Sequence, residues 1–163
     1  PLHTIQKNVE GIHWYFVIYA FALMVTRLYA GRVYDKKGHR AVFLPGTTLI
    51  IIAMLLLAWM ANSIVLYIAA VFYGLGFGTV QPALQAWAIE RSPKNRRGMA
   101  NATFFSFFDL GIGCGAILFG QIGYWLDYSS IYIAAACSVF ISVLYYLVIL
   151  RKEKNSRLNK LRV

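Results

Sequence analysis

Residues 41–61 read AVFLPGTTLIIIAMLLLAWMA and contain no charged side chain. A helix of about 20 apolar residues crosses a bilayer core about 30 Å thick, so this stretch predicts a transmembrane helix. Its apolar residues occupy every side of the helix rather than one stripe, which separates a membrane span from the core helix of a soluble domain. Polar and apolar residues do not alternate along it, as they would in the strand of a membrane barrel.

Four more stretches of the 163-residue chain have the same character. Charged residues make up 13% of the chain, about half their usual share in a soluble domain, which is about 25%. We therefore predict an all-α, polytopic transmembrane bundle within residues 1–150, followed by a basic tail at residues 151–163. The other four predicted spans are residues 11–30, 63–89, 99–126 and 129–150.

The lysines and arginines fall almost entirely on one side of these spans. All but Lys7 lie in or beside the links at residues 31–40 and 91–98, or in the tail. The positive-inside rule then predicts a multi-pass plasma-membrane protein with these links and the C-terminus in the cytoplasm, and the N-terminus of the segment outside. The net charge of +10 follows from this topology, so we expect a lipid bilayer and no nucleic acid as partner.

The first basic link, residues 31–40, reads GRVYDKKGHR. Two glycines and an acid among cations predict a tight turn between two helices. The link resembles the loop signature G-x-[LV]-x-D-[RK]-x-G-x-[RK] of the major facilitator superfamily and matches it at every specified position. The residues of this loop that we take as candidates, together with Arg27 one turn before it, are Gly31, Arg32, Asp35, Lys36, Gly38 and Arg40.

Two later stretches strengthen the resemblance. Residues 74–78, GLGFG, followed by Pro82 and Glu90, resemble helix ten of that family, and residues 109–115, DLGIGCG, resemble helix eleven. The resemblance implies that the five spans are helices eight to twelve, with helix seven and the N-terminal half outside this sequence. The start at Pro1 rather than Met also predicts a piece of a longer chain. Among the branches, the drug/proton antiporters of Gram-positive bacteria are the most similar.

The resemblance implies a secondary active transporter, with proton-coupled export of small amphipathic compounds by alternating access. Its expected partners are a small-molecule substrate, protons and the N-terminal half of the same polypeptide. The alternative is a stand-alone membrane scaffold or a truncated fragment that does not transport, because five helices do not enclose a complete path. The sequence has no nucleophile–base constellation, phosphate loop or metal-ligand spacing, so we expect no enzyme, cofactor or metal.

Asp109 is the only acid inside a predicted span. It lies ten residues after Met99, about 15 Å along a helix, where an unpaired carboxylate costs about 2.5–3.5 kcal/mol or more. Such a residue faces a wet cavity, has a partner or is protonated. It therefore belongs either to a proton or substrate pathway or to a helix–helix contact.

Three polar or aromatic residues of the third span are further candidates for the pathway. Gln81 and Gln85 lie one turn apart, and amides at this depth either line a substrate path or bridge helices. Tyr73 offers an aromatic wall for an apolar or cationic substrate, although aromatic residues in spans also serve as packing or interfacial residues.

Two structural roles remain. Charges at one face of a transporter favour the state in which that face is closed. We therefore expect the acids and cations of residues 31–40 to form a conformational latch with Glu90 and Arg91. Arg27 either joins this latch or extends to the lipid headgroups. Small residues four apart allow close helix packing in lipid. The glycines with this spacing are Gly74 and Gly78 in the third span, and Gly111 and Gly115 in the fourth.

Overall fold

The computed structural model describes the backbone of residues 11–160 and the side chains of residues 11–152. Lys7 and the last three residues of the predicted tail lie outside the described residues. Five long helices follow one another, with a short 3-10 helix (Lys94–Arg96) before the fourth. They are α1 (Ile12–Lys37), α2 (Arg40–Ala58), α3 (Ser63–Glu90), α4 (Arg97–Trp125) and α5 (Tyr128–Lys160).

All five helices are long and apolar enough to cross a membrane, and residues 11–160 contain no β-strand. The prediction of an all-α bundle with five spans is therefore confirmed. Side chains from the connections between helices cap the N-termini of two helices. Asn62 accepts a hydrogen bond from the Val65 amide at 3.0 Å, and Asp127 accepts one from the Ser130 amide at 3.0 Å, which satisfies amides that the first helical turn leaves without partners.

The turn predicted over residues 31–40 is wrong for most of its length. Helix α1 continues to Lys37, and α2 begins at Arg40. The chain reverses at Gly38, where φ is 75° and the amide donates to the Tyr34 carbonyl oxygen at 2.7 Å. A single glycine inside a helix costs only about 1 kcal/mol, so Gly31 does not end α1. The positive φ at Gly38 suits glycine, and the helix ends there.

Helix α3 lies between α1 and α2 and packs closely against both. A Cβ atom at Gly74 would lie 2.7 Å from the Tyr19 carbonyl oxygen of α1, and one at Gly78 would lie 3.0 Å from the Leu23 carbonyl oxygen. Gly76 points to the other neighbour, where a Cβ atom would lie 2.7 Å from the Gly46 carbonyl oxygen of α2. These glycines therefore let the backbones of three helices come into direct contact.

Helix α4 is packed differently from the other helices. None of its residues is buried by the described part of the chain, although it contacts α3 and α5. A Cβ atom at Gly111 would meet nothing within 4 Å, and one at Gly115 would meet only the Phe119 ring of the same helix. The packing role predicted for Gly111 and Gly115 thus has no partner helix among residues 11–160.

The contact of Gly74 with α1 predicts the effect of a single methyl group. Gly74→Ala places a carbon 2.8 Å from the Ala22 Cβ atom, so α1 and α3 must separate, and we expect a loss of about 1–3 kcal/mol, typical of an overpacked interior. Thermal unfolding of the purified protein measures it. The matched control is Gly98→Ala, where nothing lies within 4 Å; equal destabilisation by both variants would contradict the close contact.

Candidate functional site

A hydrogen bond joins α1 and α3 near the end of the first predicted span. The Arg27 Nη2 atom donates to the Gln81 Oε1 atom at 2.5 Å. Arg27 lies ten residues before the end of α1 and Gln81 nine residues before the end of α3, which places both about 14–15 Å from those helix ends. Arg27 therefore binds Gln81 in this structure rather than the predicted latch.

A second polar contact joins α3 to α4. The Gln85 Nε2 atom donates to the Asn101 Oδ1 atom at 2.8 Å, and both residues are half-buried. Asn101 was not among the residues singled out from the sequence. The signal that could have found it was an amide inside a predicted apolar span, where a polar side chain is expected to bond across helices.

Tyr73 belongs to a row of rings that crosses three helices. Its ring stacks on Tyr19 of α1 with centroids 5.4 Å apart and on Phe77 of α3 at 5.9 Å, and the Phe77 ring lies 6.3 Å from Phe108 of α4. We call Tyr19, Tyr73, Phe77 and Phe108 the aromatic row. Sequence analysis found only Tyr73, since an apolar run does not show which of its rings face each other.

Tyr73 also lines a cavity of about 250 Å³. This cavity lies between α1, α2, α3 and α5, toward the Asn62 end of the bundle. Its lining is aromatic and apolar and carries no charged side chain; the polar atoms near it come from tyrosines such as Tyr15 and Tyr132. The aromatic row thus runs from this cavity to Phe108 of α4.

Asp109 follows Phe108 on α4 and is exposed. It lies twelve residues after Arg97, about 18 Å along the helix. Among the described residues no hydrogen bond or ion pair reaches its carboxylate. Together with Arg27 and Gln81 it is one of three polar side chains that lie within the apolar helices α4, α1 and α3.

The predicted latch residues lie at the opposite end of the bundle from Asn62, which we call the basic end (residues 31–40 and 90–97). Asp35 and Glu90 line one cavity of about 260 Å³ together with Tyr34. The Tyr34 hydroxyl donates to the Glu90 Oε2 atom at 2.8 Å. Within the described part of the chain, no salt bridge joins either acid to Arg32. At this end of the bundle the Tyr34–Glu90 hydrogen bond joins α1 to α3.

Trp87 connects further helices at the basic end. The Arg91 guanidinium carbon lies 4.3 Å from the centre of the Trp87 ring, a favourable cation–π distance. His39 stacks on the same indole with centroids 4.9 Å apart, and Tyr146 of α5 meets it edge-on at 5.6 Å. These contacts tie the α1–α2 connection and α5 to the end of α3.

Comparison of the sequence with models of known protein families identifies its superfamily. The model described as the Major Facilitator Superfamily matches residues 2–162. The chain belongs to the Major Facilitator Superfamily. This membership confirms, at the level of the superfamily, the resemblance seen in residues 31–40, 74–78 and 109–115. It also makes the five apolar helices those of a multi-pass membrane protein.

Curated relatives in this superfamily are similar to the chain over part of their length. The "Uncharacterized MFS-type transporter YhhS" of Escherichia coli strain K12 is 31% identical over 143 residues, which are 85% of this chain and 34% of the relative. The protein of the same name from Salmonella enteritidis PT4 is 29% identical over 138 residues, with the same shares. The chain therefore spans about a third of the length of these relatives. No solved structure matches it significantly.

The contact between Gln85 and Asn101 can be measured by a double-mutant cycle with Gln85→Ala and Asn101→Ala. We expect the two residues to be coupled by about 0.6 kcal/mol and by no more than about 1.7 kcal/mol, as hydrogen bonds between membrane helices are. Thermal or denaturant unfolding of the four proteins in detergent gives the coupling. The control cycle pairs Asn101→Ala with Gln121→Ala on the same helix, for which additive effects are expected; an uncoupled Gln85 would contradict the geometry.

Proposed function

We propose that this chain is the C-terminal half of a secondary transporter of the Major Facilitator Superfamily, in which α1–α5 are helices eight to twelve. The observation that carries the proposal is the group of polar side chains within the apolar helices α1, α3 and α4, namely Arg27, Gln81 and Asp109. A scaffold helix has little use for such groups, whereas intramembrane polar and ionisable residues are typical of substrate and ion pathways. Family membership supports the same activity.

The packing supports alternating access. In this mechanism, one half of the transporter rocks against the other around a site near the bilayer midplane. The direct backbone contacts of α3 with α1 and α2, at Gly74, Gly76 and Gly78, provide a unit that moves as one body. Helix α4 supplies the face for the other half, because its residues are left unburied by this chain while it carries Asp109 and the small residues that close helix packing requires.

Asp109 is the candidate for proton coupling, and Gln81, Gln85 and Tyr73 are the candidates for the substrate path. A carboxylate at this depth changes its charge when a proton binds, and that change alters the cost of exposing it to lipid or to a cavity. We assign the direction of transport as export of small amphipathic compounds, in exchange for protons. The likeness of the loop and glycine motifs to the drug/proton antiporters of Gram-positive bacteria supports that assignment.

We assign the basic end to the cytoplasmic side of the plasma membrane, with the start of α1 outside. The distribution of lysine and arginine supports this orientation, because cytoplasmic connections carry an excess of them. Asp35 and Glu90 then act at the cytoplasmic face. A latch there holds that face closed against the other half and separates when it opens.

The size of the native polypeptide tests the proposal against a stand-alone scaffold. We would blot membranes of the source cells with an antibody raised against residues 151–163. A band at about 40–45 kDa, as expected for about twelve spans, supports the proposal that the chain is half of a transporter. A band near 18.4 kDa, the mass of this chain, would contradict it.

Asp109→Asn is expected to abolish proton-driven export at normal expression, because the amide does not bind and release a proton. The assay is substrate efflux from proteoliposomes that contain the complete polypeptide, with and without an imposed pH gradient. Asp109→Glu keeps the carboxylate and is the control for charge at this position. Gradient-driven efflux by Asp109→Asn at the wild-type rate would remove Asp109 from the coupling mechanism.

Asp35→Asn is expected to slow transport more than it destabilises the fold. The reason is that Asp35 is exposed and makes no hydrogen bond with another described residue, so its charge acts mainly on the opening of the basic end. We would measure transport rate and melting temperature on the same preparations. Asp127→Asn removes a carboxylate from the opposite end of the bundle and should leave the rate unchanged; equal rates for the two variants would contradict the latch.

A further inference from the structure

A narrow groove separates α1 from α2 near the basic end. Helix α3 packs closely against both of these helices, whereas α1 and α2 contact each other far less. A space of about 140 Å³ remains between them, and Thr79 of α3 forms its floor. Its walls are residues 26–33 of α1 and residues 41–49 of α2, about 10–12 Å along each helix. The groove therefore extends from the chain reversal at Gly38 into the predicted membrane region.

The lining of the groove suits a hydrocarbon chain. Among the described residues that line it, none is charged. The Thr26 hydroxyl donates to the Ala22 carbonyl oxygen at 2.6 Å. The Thr79 hydroxyl donates to the Gly76 carbonyl oxygen at 2.7 Å. Both hydroxyls are thus satisfied within their own helices and offer little to a polar ligand, and the third hydroxyl of the lining belongs to Tyr29, which is exposed.

The size of the groove points the same way. Pockets for drug-sized molecules have volumes of about 300–1,000 Å³, so a groove of about 140 Å³ is too small for a compact ring-shaped compound. It is long and narrow, because its walls follow two neighbouring helices. An extended acyl chain therefore fits it better than a bulky substrate does.

Two lysines continue the groove face of α1 beyond the predicted span 11–30. Successive residues of a helix are rotated by about 100°, so Lys37 and Lys36 lie about 40° and about 60° from the direction of Val33. Asp35 lies about 160° from that direction and lines the separate cavity between α1 and α3. Both lysines are exposed. Helix α1 thus places two cations at the mouth of the groove and turns its one acid away from it.

An apolar groove that ends beside cations matches an anionic lipid. A phospholipid carries hydrocarbon chains and a phosphate on one molecule, and basic pockets between membrane helices bind anionic headgroups. The groove is open at its side, since Val33 in its wall is 39% exposed. No residue of α4 lines it. A lipid in the groove therefore leaves free the face that we assign to the other half of the transporter.

We propose that the α1–α2 groove binds an anionic phospholipid, with an acyl chain between residues 26–33 and 41–49 and the phosphate at Lys36 and Lys37. The site goes beyond the proposed transport function and depends neither on the substrate nor on the direction of transport. A lipid bound there holds the ends of α1 and α2 at the bilayer surface. The rival occupant is a helix from the rest of the polypeptide, and the experiment separates the two.

The test is native mass spectrometry of the complete polypeptide in detergent with three added probes. They are dioleoyl phosphatidylglycerol, dioleoyl phosphatidylcholine and glycerophosphoglycerol, which is the anionic headgroup without chains. We expect phosphatidylglycerol to bind about 10–30-fold more tightly than phosphatidylcholine, as two lysines near the membrane surface predict. Glycerophosphoglycerol should bind far more weakly, because it gains nothing from the groove.

A matched pair of double variants tests the charge. Lys36→Gln with Lys37→Gln should weaken phosphatidylglycerol by about 10–30-fold and change phosphatidylcholine by no more than about twofold, at an unchanged melting temperature. Lys94→Gln with Arg96→Gln removes two exposed cations of the basic end that precede α4 and should leave both affinities unchanged. An equal loss in the two double variants would mean that general positive charge attracts the lipid, which overturns the inference.

A second pair of variants tests the groove. Val33→Trp fills it and should weaken both phospholipids by about tenfold, since a bound chain loses contact with about two methylene groups. Val148→Trp makes the same change at an exposed position of α5 and should have no effect. Equal lipid binding by the two tryptophan variants overturns the inference. If a helix of the other half fills the groove, Val33→Trp lowers the melting temperature and leaves lipid binding unchanged, which overturns it as well.

The wild-type protein alone can also contradict the proposal. Binding of phosphatidylcholine as tightly as phosphatidylglycerol excludes a site for anionic lipids. Binding of glycerophosphoglycerol as tightly as phosphatidylglycerol assigns the lysines to a free phosphate ester rather than to a lipid, and this result also overturns the inference. Gradient-driven transport is measured separately, so a protein that binds the lipid in this way without transporting supports the lipid site and contradicts the proposed export.

Discussion

Direct contact between helix backbones is the constraint on which the rest of the structure depends. In lipid, apolar side chains gain nothing from leaving one apolar surface for another, so helices associate through close packing and interhelical hydrogen bonds. Here the backbone of α3 touches α1 at Gly74 and Gly78, and α2 at Gly76. Since α1 and α3 are held this closely, a long side chain such as Arg27 on one helix reaches an amide on the other.

The same contact explains why the polar groups are ordered along α3. Gln81 bonds to α1 and Gln85, one turn later, bonds to α4. Because successive turns of a helix rise by about 5.4 Å, the two hydrogen bonds join three helices at two adjacent levels. At the end of α3, Glu90 accepts from Tyr34 of α1, so α3 meets α1 again where the helices leave the predicted membrane region.

The sequence was sufficient to predict the class of fold, because uninterrupted apolar runs near 20 residues have few structural solutions in proteins. It was less informative about helix ends. Gly31 and Gly38 look alike in the sequence, but Gly38 is the one that adopts a positive φ, and that choice depends on the direction in which α2 must leave. The loop signature, in contrast, predicted the superfamily correctly, since its residue types occur at fixed spacing.

The candidate site was predictable as a set of residues and not as a set of contacts. Polar residues in apolar spans pointed to Asp109, Gln81 and Gln85, because each is costly in lipid without a purpose. The partners of Gln81 and Gln85 are Arg27 and Asn101, which lie on other helices. A single sequence does not show which faces of two helices meet. Arg27 illustrates the difference: its position suggested the headgroups or the latch, whereas its guanidinium binds Gln81 of α3. That contact depends on how closely Gly74 and Gly78 bring α1 and α3 together.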